Sequence, residues 1–165
     1  MKQEDFIVSM KGIQKSFGGV HALTNGKLVL RKGEVLGLIG ENGAGKSTLM
    51  KILSGVYQAD AGVMEVDGKA VIYHEPRQAL HDGICMIYQE LNLVKDLSVG
   101  DNIFIGRESQ RGWKLDRGQD NRRAERLLAE LELDVSPDTL VGSLTVAKQQ
   151  MVEIAKGISY DSKVL

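Results

Sequence analysis

Nine consecutive residues constrain this chain more than any other stretch: Gly40, Glu41, Asn42, Gly43, Ala44, Gly45, Lys46, Ser47 and Thr48. Their spacing is G-x-x-x-x-G-K-[ST], the pattern of a phosphate cradle. Each part has a physical task. Glycines permit dihedrals and a close backbone approach that a Cβ would forbid. Consecutive N–H groups then turn inward as an anion nest, and a helix beginning at once behind them adds its unpaired amides. Lys46 supplies a mobile positive charge for the β- and γ-phosphates. The Ser47 hydroxyl supplies a ligand for the magnesium ion that bridges them.

The flanks agree with this reading. Val35, Leu36, Gly37, Leu38 and Ile39 form a short apolar run, which predicts a strand buried on both faces of a parallel sheet. Behind the loop, Leu49, Ile52 and Leu53 recur at helical spacing over residues 46–53, and Gly55 stands where a left-handed cap is expected. A dinucleotide-binding G-x-G-x-x-G turn is excluded by its spacing, because Thr48 follows Gly43 and Gly45 where a third glycine is needed.

With 165 residues, 42% of them hydrophobic and 26% charged, the chain is long enough for one core and ordinary in composition. Its net charge of −1 argues against a dedicated nucleic-acid or anionic-membrane surface, while leaving room for local patches. The start, Met1, Lys2, Gln3, Glu4 and Asp5, is acidic and has no apolar signal core, and no run approaches the length of a membrane span. A cytoplasmic location is expected. The single cysteine, Cys85, lies in an apolar run and reads as a small buried hydrophobe rather than a nucleophile.

Taken in order, residues 6–17 and 27–30 read as strands, with residues 17–23 as the connection between them. Phe17 either stacks on a purine ring or packs in the core. Residues 63–72 read as a hairpin around Asp67 and Gly68, and residues 76–81 as a short helix opened by Pro76. His74 and His81 lack the Cys/His spacing of a structural metal site and are expected to be solvated. Residues 84–88 are a second candidate central strand, with Gln89 at its carboxyl end, where open α/β sheets bind ligands. From Leu91 onward the pattern turns helical. Ser98 opens a helix over 99–105, residues 107–118 read as a loop, and Asp116 caps a helix over 117–132. Val146, Met151, Ile154, Ala155 and Ile158 share one stripe of a last helix, and residues 160–165 look like the entry to a further strand.

Together these residues resemble the ATP-binding cassette of ABC transporters, and more closely the amino-terminal cassette of bacterial monosaccharide importers. The carriers are residues 15–23, residues 40–55, then Tyr88, Gln89, Glu90 and Leu91, and finally residues 144–156. The resemblance implies an α/β fold: a P-loop nucleotide hydrolase core with an antiparallel β subdomain and a helical subdomain, its carboxyl-terminal core strands missing here. Residues 1–91 would carry the β subdomain and the phosphate-loop core, 92–157 the helical subdomain, and 158–165 the start of the next core strand. Phe17 becomes the adenine-stacking aromatic, and Gln89 the residue sensing magnesium and the γ-phosphate. Thr145 belongs to the signature segment that meets the ATP of an opposing cassette through a helix amino terminus. In that segment Ala147 and Lys148 replace a glycine and a glutamine, and Ala147 adds a methyl group where backbone must approach phosphate.

The same resemblance implies ATP and Mg2+ as cofactors, Lys46 and Gln89 as catalytic residues, and Ser47 and Gln89 at the metal. It implies a second cassette, membrane permease subunits and, indirectly, a sugar-binding protein as partners, with no nucleic acid, at the inner face of the cell membrane. In the family pattern the magnesium-supporting aspartate, the water-polarising glutamate and a histidine switch follow the position of Leu165. The 165 residues are therefore expected to be the amino-terminal piece of a longer ATPase and a poor enzyme alone. An ABC-type ATPase of translation or DNA repair, and a non-catalytic nucleotide-binding regulator, are the alternative functions.

Overall fold

The computed structural model describes residues 6–165, and the acidic start, Met1 to Asp5, lies outside them. Contacts divide the chain into two units. One runs to Ile84 and takes in Val164, and the other runs from Cys85 to Lys163 with Leu165.

The first unit is organised by β1 (Phe6–Phe17), which pairs antiparallel with β2 (Val20–Arg31) on one side and β3 (Ala61–Val66) on the other. Val8 stands opposite Leu30 and Val66, and Met10 opposite Leu28 and Met64. Directly opposed residues share a face, so these apolar side chains make one continuous surface. Helix α1 (Lys46–Leu53) covers it with Leu49, Ile52 and Leu53. Each such side chain, fully buried, contributes about 1.5–3 kcal/mol. The helix approaches closely because Gly26 of β2 leaves room: a Cβ there would stand 3.2 Å from a Leu49 methyl.

The sheet ends with β4 (Lys69–Ala70), giving the order β2-β1-β3-β4. Its turn, Asp67 and Gly68, has φ of 48° and 73°, the two positive values a tight hairpin requires. Helix α2 (Pro76–His81) follows, with proline in its first turn. Beside it the buried Tyr73 donates its hydroxyl to Asp82 at 2.9 Å. Burial, and then this acidic acceptor, push the phenol well above its usual range.

The second unit is helical. Helices α3 (Val99–Phe104), α4 (Arg117–Glu130) and α5 (Val146–Ile158) enclose Ile103, Phe104, Ala124, Leu128, Val152 and Ala155. Ser98 caps α3 by accepting from the Asp101 amide at 3.1 Å, and Asp116 caps α4 by accepting from Gln119 at 3.0 Å. Asn102 is buried yet fully engaged: its Oδ1 accepts from the Val94 amide at 2.8 Å, and its Nδ2 donates to the Val94 and Ser98 carbonyls. The Arg107 guanidinium joins the ends of α3 and α5, donating to the carbonyls of Ile103 and Ser159 and lying 3.5 Å from the Tyr160 ring centroid.

Several sequence expectations are corrected. Residues 35–39 form no strand, and Val35 and Ile39 are 99% and 98% exposed. A strand buried on two faces needs a neighbour at each edge and a layer on each side, and no described residue pairs with this run. Of residues 84–88 only Ile84 enters a β-bridge, parallel to Val164. Strand β2 begins at Val20, so it takes up residues expected to be a connection. The expected loop over 107–118 contains a small hairpin, β5 (Gln110–Arg111) with β6 (Lys114–Leu115). The second strand of the 63–72 hairpin stops at Ala70, and Ile72 is exposed.

Candidate phosphate-binding site

The loop of residues 40–48 is shaped by two left-handed glycines, Gly43 at φ 87° and Gly45 at φ 81°. Between them the Ala44 amide donates to the Glu41 carbonyl at 3.2 Å, closing a turn. Gly45 is the N-cap of α1, and no side chain caps that helix start. The first-turn amides are therefore left to a ligand, and no acidic residue in that turn repels an anion. Gly45 also sits hard against β2: a Cβ there would lie 2.5 Å from a Leu23 methyl and 2.8 Å from the Ala22 carbonyl oxygen. The wall of the cradle is thus built by the same strand that pairs with β1.

Lys46 turns its ammonium back onto the loop, donating to the carbonyls of Gly40 at 2.6 Å and Glu41 at 2.8 Å. Phosphate oxygens are stronger acceptors than exposed carbonyls, so this charge is held in place for exchange. Ser47 is exposed on the first turn of α1, beside the uncapped amides. These residues fit a magnesium nucleotide: backbone donors and Lys46 for the phosphates, and one hydroxyl for a cation that otherwise takes oxygen from phosphate and water. Among the described residues no group of His, Cys, Asp and Glu is gathered to hold a metal by itself.

Phe17 ends β1. Its ring is 41% exposed and meets Tyr57 edge-to-face, with centroids 5.0 Å apart and planes at 65°. Two groups hold it there: Asp60 accepts from the Lys15 ammonium and from the Ser16 amide, each at 2.7 Å. Lys15 is paired in register with Leu23, the residue that backs Gly45. One hairpin therefore carries both the aromatic residue and the wall of the phosphate loop. Tyr57 and Asp60 escaped sequence reading because their partners lie some forty residues away. The only hint was their place between the cap of α1 and the next strand.

The Lys15 hydrogen bond, followed by that of Ser16, holds the Asp60 carboxyl below its usual value of 3.8. A depressed carboxylate stabilises the fold above the unfolded pKa and loses that contribution as pH falls through the folded value. The stability advantage of the wild type over Asp60→Asn is expected to be constant from about pH 5 to 8 and to be lost progressively as pH falls through and below the ordinary carboxylate value of 3.8. Denaturant midpoints across that range check this, and an advantage undiminished near pH 2 would assign it to something other than the carboxylate.

Thr145 caps α5, its hydroxyl accepting from the Lys148 amide at 3.4 Å. Val146, Ala147 and Lys148 are exposed beside it, and the Lys148 ammonium donates to the Asp134 carbonyl at 3.2 Å. Gln89 is exposed at a bend after residues 85–88. Cys85 is buried, and burial above all raises its thiol pKa, which leaves it protonated and unreactive. His74 pairs with the side chain of Gln58, and His81 with Asp82 at 3.4 Å.

The family profile described as ABC transporter matches residues 23–165. The chain belongs to the ABC transporter family. The phosphate loop, Gln89 and Thr145 lie within the matched residues, and Phe17 precedes them. A putative ribose/galactose/methyl galactoside import ATP-binding protein of Burkholderia ambifaria is 55% identical over 161 residues, covering 96% of this chain and 31% of the relative. The galactose/methyl galactoside import ATP-binding protein of Escherichia coli K12 is 44% identical, covering 98% of this chain and 32% of its own length. The chain thus spans about a third of the curated relatives it matches. Among solved structures, an ABC transporter ATP-binding cassette in its ADP conformation superposes with a TM-score of 0.82 at 28% identity, over 95% of this chain and 66% of that one. A nucleotide-free cassette gives 0.81. The fold is that of an ABC cassette, and the chain is part of an ABC ATPase domain. No helix among the described residues is long and apolar enough to cross a membrane.

Proposed function

We propose that this chain grips ATP for an importer of ribose- or galactose-type monosaccharides. The observation that carries the first half is the uncapped start of α1 behind two left-handed glycines, with the Lys46 ammonium parked on the loop carbonyls. Backbone donors and one cation, with no acid in the first turn, fit a polyphosphate. The second half is supported by relatives of about 50% identity that bear the names of ribose, galactose and methyl galactoside import proteins.

In this reading residues 40–48 hold the phosphates, Ser47 and Gln89 serve the magnesium ion, and Phe17 with Tyr57 offers an aromatic surface to the adenine. Magnesium supplies charge neutralisation between the β- and γ-phosphates. Thr145 opens the helix that serves the ATP of a second cassette. The β subdomain and phosphate-loop core occupy residues 1–91, and the helical subdomain 92–157. Permease subunits, and through them a sugar-binding protein, are the partners, with the ATPase on the inner face of the membrane. Hydrolysis is assigned to the assembled cassettes. The chain alone binds ATP and releases phosphate slowly, since positioning without a water-activating base leaves much of the barrier in place. Calorimetric titration with ATP, paired with a steady-state phosphate-release assay, tests this. Tight binding with slow release is expected, and absence of binding would overturn the reading. Co-purification with a membrane permease separates an importer from a stand-alone ATPase.

A further inference from the structure

None of the residues assigned to nucleotide binding lies on the β5–β6 hairpin. Gln110 pairs with Leu115 and Arg111 with Lys114, leaving Gly112 and Trp113 as the turn, with Gly112 at φ 66°. All six residues are exposed, and Trp113 is 90% exposed. The Lys114 ammonium lies 5.1 Å from its ring centroid. Arg111 and Lys114 are directly opposed across the strands, and like charges in that arrangement repel. Among the described residues neither has an ion-pair partner.

The neighbouring acids are already engaged. Asp120 accepts from the Ser109 amide at 2.9 Å and from its hydroxyl at 2.6 Å. Asp116 caps α4, Glu108 accepts from the Gly106 amide at 3.0 Å, and Asp101 faces Arg117. The Asp116 amide also donates to the Ser109 carbonyl at 2.7 Å. The base of the hairpin is therefore pinned, while its tip presents an indole between two uncompensated cations. A hairpin this short is marginal alone, so the pinning is what keeps the tip presented.

We propose that this tip docks on an anionic phospholipid surface, with Trp113 in the interfacial layer and Arg111 and Lys114 against headgroup phosphates. An indole has an apolar body and one polar N–H, which suits the boundary between headgroup and acyl chain. Long basic side chains lay their methylenes along that boundary and keep their charges at the phosphates. Nucleic acid fits less well: two cations at a single hairpin tip do not form the stripe that tracks a phosphate backbone. The proposal requires no nucleotide and stands apart from the assignment of the phosphate loop.

Trp113 is the only tryptophan, so its fluorescence reads the site directly. The chain is titrated with phosphatidylcholine vesicles with and without phosphatidylglycerol. A blue shift, and quenching by brominated lipid, are expected only with the anionic vesicles. Arg111→Gln with Lys114→Gln lowers partitioning roughly 30-fold. Trp113→Ala, followed by co-sedimentation, lowers it roughly 10-fold. High salt weakens the wild type, a readout that stands even if a variant fails to fold. Unshifted emission with anionic vesicles, or an equal shift with neutral ones, would overturn the proposal. So would the same shift from inorganic phosphate alone, or from a single-stranded oligonucleotide in the absence of any vesicle response.

Discussion

Lys46→Ala is expected to weaken ATP binding by about 3 kcal/mol, roughly 100-fold in Kd, while leaving the stability of the free protein within about 0.5 kcal/mol. The asymmetry follows from where the ammonium rests. In the free loop it donates to two exposed carbonyls, Gly40 and Glu41, and water takes over both when the side chain is removed. Against phosphate the same ammonium makes charge-assisted hydrogen bonds to groups carrying multiple negative charges, and water replaces those poorly. Isothermal titration beside thermal unfolding separates the two. Unchanged affinity would remove Lys46 from the phosphate site. A large fall in stability would instead make its bonds to the loop structural. Lys46→Arg is a useful companion, because it keeps the charge in a bulkier planar head, and only partial recovery is expected in a cradle shaped for a compact ammonium.

What was legible in the sequence was legible because its signals are local. Helix α1 was readable from Leu49, Ile52 and Leu53 with Gly55 behind them, and α4 from Asp116 at its start. Helix α5 forms where expected, but of its expected stripe only Ala155 is buried, Val146 is exposed, and Val152 takes the core position. A cap and a periodicity need only a few adjacent residues. The phosphate loop belongs to the same class, since its glycines, lysine and helix start are contiguous. Residues 35–39 show the limit. Their composition is that of a buried strand, but pairing is supplied by other segments, and among the described residues none supplies it. Isolated β-branched and leucine side chains cannot bury themselves. The partners of Phe17 were hidden for a related reason. Tyr57 and Asp60 come from beyond α1, and only the folded sheet brings them to the end of β1. The β5–β6 hairpin was missed because two-residue strands are too short to show an alternation.

These contacts also make the phosphate loop more than a motif. Its shape is imposed from behind by β2, so the cradle depends on a residue outside the pattern. Leu23 presses on Gly45 and is held by its register with Lys15. Lys15 in turn binds Asp60 and, 5.5 Å from the Phe17 centroid, flanks the aromatic candidate for adenine. A nucleotide spanning phosphate loop and aromatic would touch the turn end of one hairpin at two points, and changes in the hairpin are expected to act on both.

Gly45→Ala provides the strongest test of that dependence. At φ 81° an alanine pays a left-handed conformational penalty of about 1–2 kcal/mol. Its methyl would also lie 2.5 Å from Leu23 Cδ2 and 2.8 Å from the Ala22 oxygen. Leucine can rotate away, but the Ala22 oxygen is backbone of β2 and moves only with the strand. Overpacking of this kind adds about 1–3 kcal/mol. The sum is a destabilisation of about 3 kcal/mol, or roughly 6–12 °C in Tm for a chain of this size. Relief by rotation of the loop would turn the amides away from the anion, so ATP affinity falls as well. Gly43→Ala is the control: φ is similar at 87°, but a Cβ there meets nothing within 4 Å, leaving only the conformational penalty. Adding Leu23→Ala to Gly45→Ala removes the methyl clash but not the backbone one, so only part of the Gly45 defect is expected to return. If Gly45→Ala and Gly43→Ala were equal in both unfolding and titration, the wall of β2 would have no part in shaping the cradle.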